Sequence, residues 1–203
     1  MSLNSYTTIK TAVGTWLNRS DLTGVIPDLI TLGEARIYRD LRIAAMETDI
    51  SEAITSGVVA VPSGYIEMKH FYVFGAPVQK LQRKTAEWIY TNYPTRSADS
   101  KPLFFAREGG NFIFGPYSDS TYTVKGSYYK RLDALSASNE TNWFTANAPE
   151  LVLFAALSEA EPYIGNDLRA ILWKAKYDDA KNSVQRQDIN EEFSGSILQV
   201  TAA

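Results

Sequence analysis

The sequence predicts a mainly α protein, a helical bundle formed by its N- and C-terminal helices with a β-rich subdomain inserted between them (α+β). Three observations predict it. Apolar residues near the N-terminus recur at three- and four-residue steps, which is helical spacing. Between residues 51 and 132, Val, Ile, Phe and Tyr gather in short runs punctuated by Gly and Pro, as strands do. Helical spacing returns beyond residue 133. The expected segments are 1–50 for the N-terminal helices of the bundle, 51–132 for the β-rich insertion, 133–190 for the C-terminal helices of the bundle, and 191–203 for a flexible tail.

The first helix runs from Asn4 to Leu17, with Tyr6, Ile9, Val13, Trp16 and Leu17 on its apolar positions. The turn formers of "NRSDLTG" end it, and Pro27 supplies the fixed φ that suits the first turn of the next helix. Along that second helix Ile26, Ile30, Gly33, Ile37, Leu41 and Ala44 form one stripe, with Leu29 beside it. Gly33 costs helix propensity, which marks this position for a close helix crossing. Arg36, Arg39 and Arg42 lie off the stripe, and Arg36 with Asp40 makes an i, i+4 pair. Those arginines face either water or another molecule.

In the middle segment the runs "GVVAVP", "YIEMKHFYVFG", "PLFFAREGGNFIFGP" and "TYTVKGSYYKRL" read as strands. "EGGN" between apolar flanks is a hairpin turn, because Gly accepts the positive φ of a tight turn. "QRKTAEWIYTNYP" reads as a short helix ended by Pro94.

Beyond residue 133, Asn147 with Glu150 three residues on has the arrangement of a capping box for the helix "NAPELVLFAALSEAEPYIG", which Pro162 and Gly165 end. A last helix spans about Asp167 to Asn190, with Leu168, Ile171, Leu172, Ala175 and Val184 inward and "KAKYDDAK" outward. The tail "SGSILQVTAA" then carries Ile197, Leu198 and Val200, which are either part of a disordered terminus or a segment that docks on a partner.

At 203 residues the chain can bury a core without staples, and with no Cys it has no disulfide, thiolate nucleophile or thiolate metal site. The longest clean apolar run, "LVLFAAL" at 151–157, is far too short to cross a bilayer, and no signal peptide or membrane contact is expected. Net charge is −3, but segments 1–50, 51–132 and 133–203 carry −1, +4 and −6. That polarity suits contact between copies, or is ordinary solvated charge.

Catalytic, cofactor and metal constellations are not expected. His70 is the single histidine, so a two-histidine zinc helix cannot form. There is no G-x-S-x-G elbow and no Walker loop. Glu159 and Glu161, two apart on a helix, do not share a face, and Asp178 with Asp179 reads as a solvated face. The aromatic residues, 12% of the chain, lack a basic-aromatic RNA signature and read as core and interface.

In its whole order the chain resembles the adaptor family of short-tailed bacteriophages, the head-to-tail connector proteins. The resemblance rests on "WLNRSDLTGVIPDLITLGEARIYRDLR", "VVAVPSGYIEMKHFYV", "PLFFAREGGNFIFGPYSDSTYTVKGSYYKRLDALSASNETNWF" and "ANAPELVLFAALSEAEPYI", which cover most of residues 6–165. It implies a structural, non-enzymatic virion protein without cofactor, assembled in the bacterial host cytoplasm. Its implied form is a homo-oligomeric ring, typically dodecameric, between the portal protein and the tail nozzle protein, with transient non-specific contact to genomic DNA during ejection. Arg36, Arg39 and Arg42 would then lie at subunit interfaces or toward the DNA channel. The tail, with Phe193, Ile197, Leu198 and Val200, would dock on the portal. The alternatives are another phage tail or baseplate structural protein, or a virion-associated glycosidase.

Overall fold

The computed structural model describes residues 3–97, 99–165 and 167–194. In chain order the elements are α1 (Tyr6–Leu17), α2 (Ile26–Asp40), β1 (Glu47–Ala53), β2 (Val58–Ala60), β3 (Tyr65–Val73), β4 (Gln79–Lys80), β5 (Gln82–Arg83) and α3 (Ala86–Asn92). They continue with β6 (Phe104–Glu108), β7 (Asn111–Gly115), β8 (Thr123–Lys130), α4 (Trp143–Asn147), α5 (Pro149–Ile164) and α6 (Asp167–Glu192). The chain forms two compact units: residues up to Ala45 together with those from Leu132 onward, and Met46–Arg131.

The expectation of a mainly α protein is corrected. Helix takes 44% and strand 23% of the described residues, and the strands build two four-stranded sheets, so the fold is α+β. Strand pairing is long-range: β1 lies against β8 with Glu47 opposite Tyr129, and β2 against β7 with Val58 opposite Ile113. Local periodicity cannot reveal such partners. Nor did it reveal β1, "ETDISEA", in which Ile50 alone is buried. As an edge strand it needs little apolar patterning.

In the helical unit, Ser5 and Thr8 close a capping box at the start of α1. The Glu140 carboxylate adds bonds from the Thr7 backbone N–H (2.9 Å) and the Thr7 hydroxyl (2.7 Å), placing negative charge at a helix N-terminus. These bonds hold its carboxyl below the ordinary value. α2 carries Pro27 in its first turn as expected and buries Ile26, Leu29, Ile30, Gly33 and Ile37. A Cβ on Gly33 would meet the Ala156 backbone nitrogen at 2.9 Å and the Ala155 Cβ at 3.1 Å. Small residues on both sides thus let α2 and α5 approach closely. α5 buries Leu151, Val152, Leu153, Ala155, Ala156, Leu157 and Ala160, residues that lie around most of its circumference, as a central helix must.

Three local expectations change. Pro162 does not end α5: the helix runs through it to Ile164 and stops at Gly165 alone, which takes a left-handed conformation (φ 78°). Asn147 ends α4 and donates its side-chain amide to the Trp143 carbonyl (3.0 Å), while α5 starts at Pro149, and its N-cap Ala148 makes no side-chain cap bond. The capping box sits five residues earlier, between Asn142 and Thr145 at the start of α4. On α6 the buried face is Trp173, Tyr177, Ala180 and Val184. Ile171 is 71% and Leu172 49% exposed, and Ala175 is exposed; the side chain of Leu168 lies outside the described residues. Both stripes have helical spacing, so periodicity could not choose between them. The aromatic stripe wins because its rings bury more area and their polar ends find partners.

In the β unit the sheets run β1-β8-β3-β4 and β2-β7-β6-β5, every pair antiparallel except β5 with β6. They share a core in which Ile50, Phe71, Val124 and Tyr128 from one sheet meet Val59, Phe105, Phe112 and Phe114 from the other. α3, capped by Thr85, covers the far side of the second sheet, with Ile89 packed on Ala106 and Ile113. The predicted hairpin joins β6 to β7 through Gly109 and Gly110, with Gly109 at φ +55°.

Candidate functional site

The three arginines are set differently by α2. Arg36 turns inward to α5 and α6 of its own unit. Its Nη1 donates to Ser158 Oγ at 2.8 Å and lies 3.5 Å from Glu159 Oε1. Its Nε is 3.8 Å from Asp40 Oδ2, and its guanidinium stands 4.4 Å over the Tyr177 ring. The Tyr177 hydroxyl donates to Asp40 Oδ2 at 2.9 Å. Burial, followed by that bond to a carboxylate, pushes the phenol far above its ordinary range. With 19% of its side chain exposed, Arg36 is a tie between three helices of its own chain; its pairing with Asp40 was expected from the sequence, its bond to Ser158 and its stacking on Tyr177 were not.

Arg42 follows the end of the helix, because Leu41 is already extended (φ −122°, ψ 140°). Its Nη1 donates to the carbonyls of Tyr38 (2.9 Å) and Leu41 (2.6 Å), satisfying acceptors that a helix end leaves open. Arg39 is exposed in the last turn of α2, where the helix dipole favours a cation. Of the three, Arg39 alone presents its charge outward without a hydrogen bond or ion pair among the described residues.

Glu34, one turn before Tyr38, is 3% exposed. Its carboxylate accepts from the Leu135 backbone N–H (3.3 and 3.2 Å) and from Asn142 Nδ2 (3.3 Å), pinning the segment that leads into α4. Burial outweighs these bonds and raises its pKa.

Sequence reasoning missed an aromatic groove formed by α1, α5 and α6. Trp16 lies 5.8 Å from Phe154 and 5.5 Å from Trp173, ring centroid to centroid, and Phe154 stacks on Trp173 at 6.2 Å. Arg169 ties the cluster to α1 and α5: its Nη2 donates to the Trp16 carbonyl (2.9 Å), and its Nε is 3.4 Å from Glu161 Oε1. Trp173 Nε1 donates to that same Glu161 oxygen at 2.9 Å. The open groove has a volume of about 430 Å³, and Trp16 is 43% exposed in it. Four Trp in the whole sequence were a signal, since two of them converge here from opposite ends of the chain.

Phe193, just beyond the end of α6, is 59% exposed; Ile197, Leu198 and Val200 lie outside the described residues. His70 is a strand residue on β3, its Nδ1 3.1 Å from Ser127 Oγ and its ring stacked on Tyr72. Glu159 and Glu161 diverge, the first toward Arg36 and the second toward Trp173. Among the described residues no group of three His, Asp or Glu side chains is placed to hold a metal ion, and no helix is long and apolar enough to cross a membrane.

No curated protein matches the chain. A family model does match, that of the SU10 adaptor protein, and it extends over residues 4–199, through both units. The chain therefore belongs to the SU10 adaptor protein family, bacteriophage adaptors with a structural role in the virion.

Proposed function

We propose that this adaptor assembles as a ring of identical subunits, twelve by resemblance to its family, between the portal protein and the tail nozzle protein, around the passage taken by DNA. The observation that carries the reading is the family match across residues 4–199, which takes in the helical unit and the β unit together. Physical features agree with it. A ring needs two different faces on each subunit, related by a rotation that closes. The basic middle segment (+4) and acidic C-terminal segment (−6) offer opposite fields that steer one copy onto the next.

In this reading Arg39 carries the charge offered to a neighbour or to DNA phosphates, without reading bases. Arg36 and Arg42, by tying α2 to α5 and α6 and by capping its end, hold Arg39 in place. The tail, with Phe193, Ile197, Leu198 and Val200, docks on the portal. Assembly on a preformed portal template lowers the cost of bringing the copies together.

The test is molar mass by size-exclusion chromatography with light scattering, for the protein alone and mixed with its portal. A stoichiometric complex larger than the portal by a ring of adaptors is the expected result. Absence of association at every salt concentration overturns it.

A further inference from the structure

In the β unit, the loop Phe74–Val78 that leads from β3 to β4 is an apolar knob at the surface. Phe74 is 56% and Val78 60% exposed, and Ala76 and Pro77 between them are exposed as well. Exposed apolar side chains placed together in this way are characteristic of a contact surface. The knob is flanked by cations. Lys125 Nζ stands 4.1 Å from the centre of the Phe74 ring, and Lys101 Nζ donates to the Pro77 carbonyl at 3.0 Å. The Phe74 backbone N–H is bound to the Thr123 carbonyl (2.8 Å), so the base of the knob is fixed to β8.

The groove of the helical unit has the opposite character. Its floor is Trp16, Phe154 and Trp173, and its rim carries Glu150 and Asp179 along with Lys176. Buried aromatic pockets are where binding energy concentrates in protein interfaces.

We infer that Phe74 and Val78 of one copy seat in the Trp16–Phe154–Trp173 groove of a second copy, with Lys101 and Lys125 facing Glu150 and Asp179. This rests on the proposed ring, and it names the head-to-tail contact that closes it. A knob and a groove on one chain make a heterologous contact, the kind that generates rings. The charges fit: two lysines at the knob meet a rim with two carboxylates. The volume, about 430 Å³, accommodates an aromatic and a branched side chain together.

The absence of Cys makes the test direct. Val78→Cys and Lys176→Cys chains, each altered at an exposed position, are mixed on the portal and treated with a short bismaleimide. The expected result is a cross-linked heterodimer about tenfold above either variant alone, because docked thiols see each other at high effective concentration. A ring-sized complex that forms without this cross-link overturns the inference and leaves the ring standing. Failure of any complex to form overturns both. Cross-linking of Lys176→Cys to Ile197→Cys in place of Val78→Cys assigns the groove to the tail and overturns the inference. Charge supplies a second readout. Lys101→Glu with Lys125→Glu should cut complex yield about tenfold, and Glu150→Lys with Asp179→Lys on a mixed-in partner should restore it. No restoration, with both chains folded, counts against the contact.

Discussion

The Arg36 guanidinium stands 4.4 Å over the ring of Tyr177, and both side chains reach for Asp40 Oδ2, Arg36 Nε at 3.8 Å and the Tyr177 hydroxyl at 2.9 Å. A residue near the end of α2 is thereby locked to the middle of α6. Arg36→Ala leaves the fully buried Tyr177 without its cation and Ser158 without its donor. It should lower the stability of the helical unit by about 2–4 kcal/mol in urea unfolding. Arg36→Ala with Tyr177→Phe should be non-additive by about 1 kcal/mol, as expected for groups that share a partner.

Gly33→Ala tests the crossing of α2 and α5. Alanine gains about 1 kcal/mol of helix propensity at an unhindered site. Here its Cβ would meet the Ala156 backbone nitrogen at 2.9 Å, and backbone cannot swing aside as a flexible side chain can. The variant should be destabilised by about 1–3 kcal/mol, read as a lower midpoint in thermal or urea unfolding. A midpoint raised above that of the parent chain would show that the helices have room to separate.

Glu34 gives a pH signature. Its folded pKa is raised above the ordinary 4.5 by burial, so the folded chain binds the proton more tightly than the unfolded chain does. The stability tied to the protonated carboxyl is fully present below pH 4.5 and is lost as pH rises through the raised folded value. Glu34→Gln keeps an acceptor for the Leu135 N–H and removes the buried charge. Its melting temperature at pH 7 should equal or exceed the parent's, and the difference should shrink as the pH is brought down toward 4.5. Glu34→Ala, which orphans the Leu135 N–H, should cost about 1–3 kcal/mol at every pH.

Arg39 separates assembly from folding. Because its side chain is exposed and interacts only with the end of the helix dipole, Arg39→Glu should lower unfolding stability by only about 0.5–1.5 kcal/mol. Under the ring proposal it should lower the yield of adaptor–portal complex, or its retention of DNA, more at low salt than at high salt. Reversing Arg36 as well would confuse the result, since that change also breaks the tie to Tyr177. Normal yield and normal DNA retention would remove Arg39 from the interface and the channel.

The tail is tested by deletion of residues 194–203. Portal binding should weaken while the thermal midpoint of the remaining chain stays the same. Unchanged binding would sink the docking role of Ile197, Leu198 and Val200.

Much of the helical unit was legible because its signals are local. Pro27 marked the start of α2, the stripe is buried from Ile26 to Leu41 while its last expected member, Ala44, lies beyond the helix and is exposed, and Gly33 marked the close crossing. The turn at Gly109 was legible from "EGGN" for the same reason. On α6 Val184 is buried as expected, but Ile171, Leu172 and Ala175 were misread where two stripes of equal periodicity competed, and β1 was missed where an edge strand carried one buried residue. The groove was invisible, because Trp16 and Trp173 are 157 positions apart and neither belongs to a motif.

By itself, then, the sequence determined where the helices begin, which face α2 buries, which chemistries the chain lacks, and the family its ordered segments resemble. These are properties of neighbouring residues and of composition, fixed by backbone sterics, capping and hydrophobic spacing. Only the tertiary structure decided that the strands make two full sheets, that Arg36 is spent on Tyr177 and Ser158 while Arg39 stays open, and that Trp16, Phe154 and Trp173 enclose a groove. Those outcomes depend on which distant surfaces exclude water together. Such a choice is made by burial summed over many long-range contacts, and no window of sequence contains it.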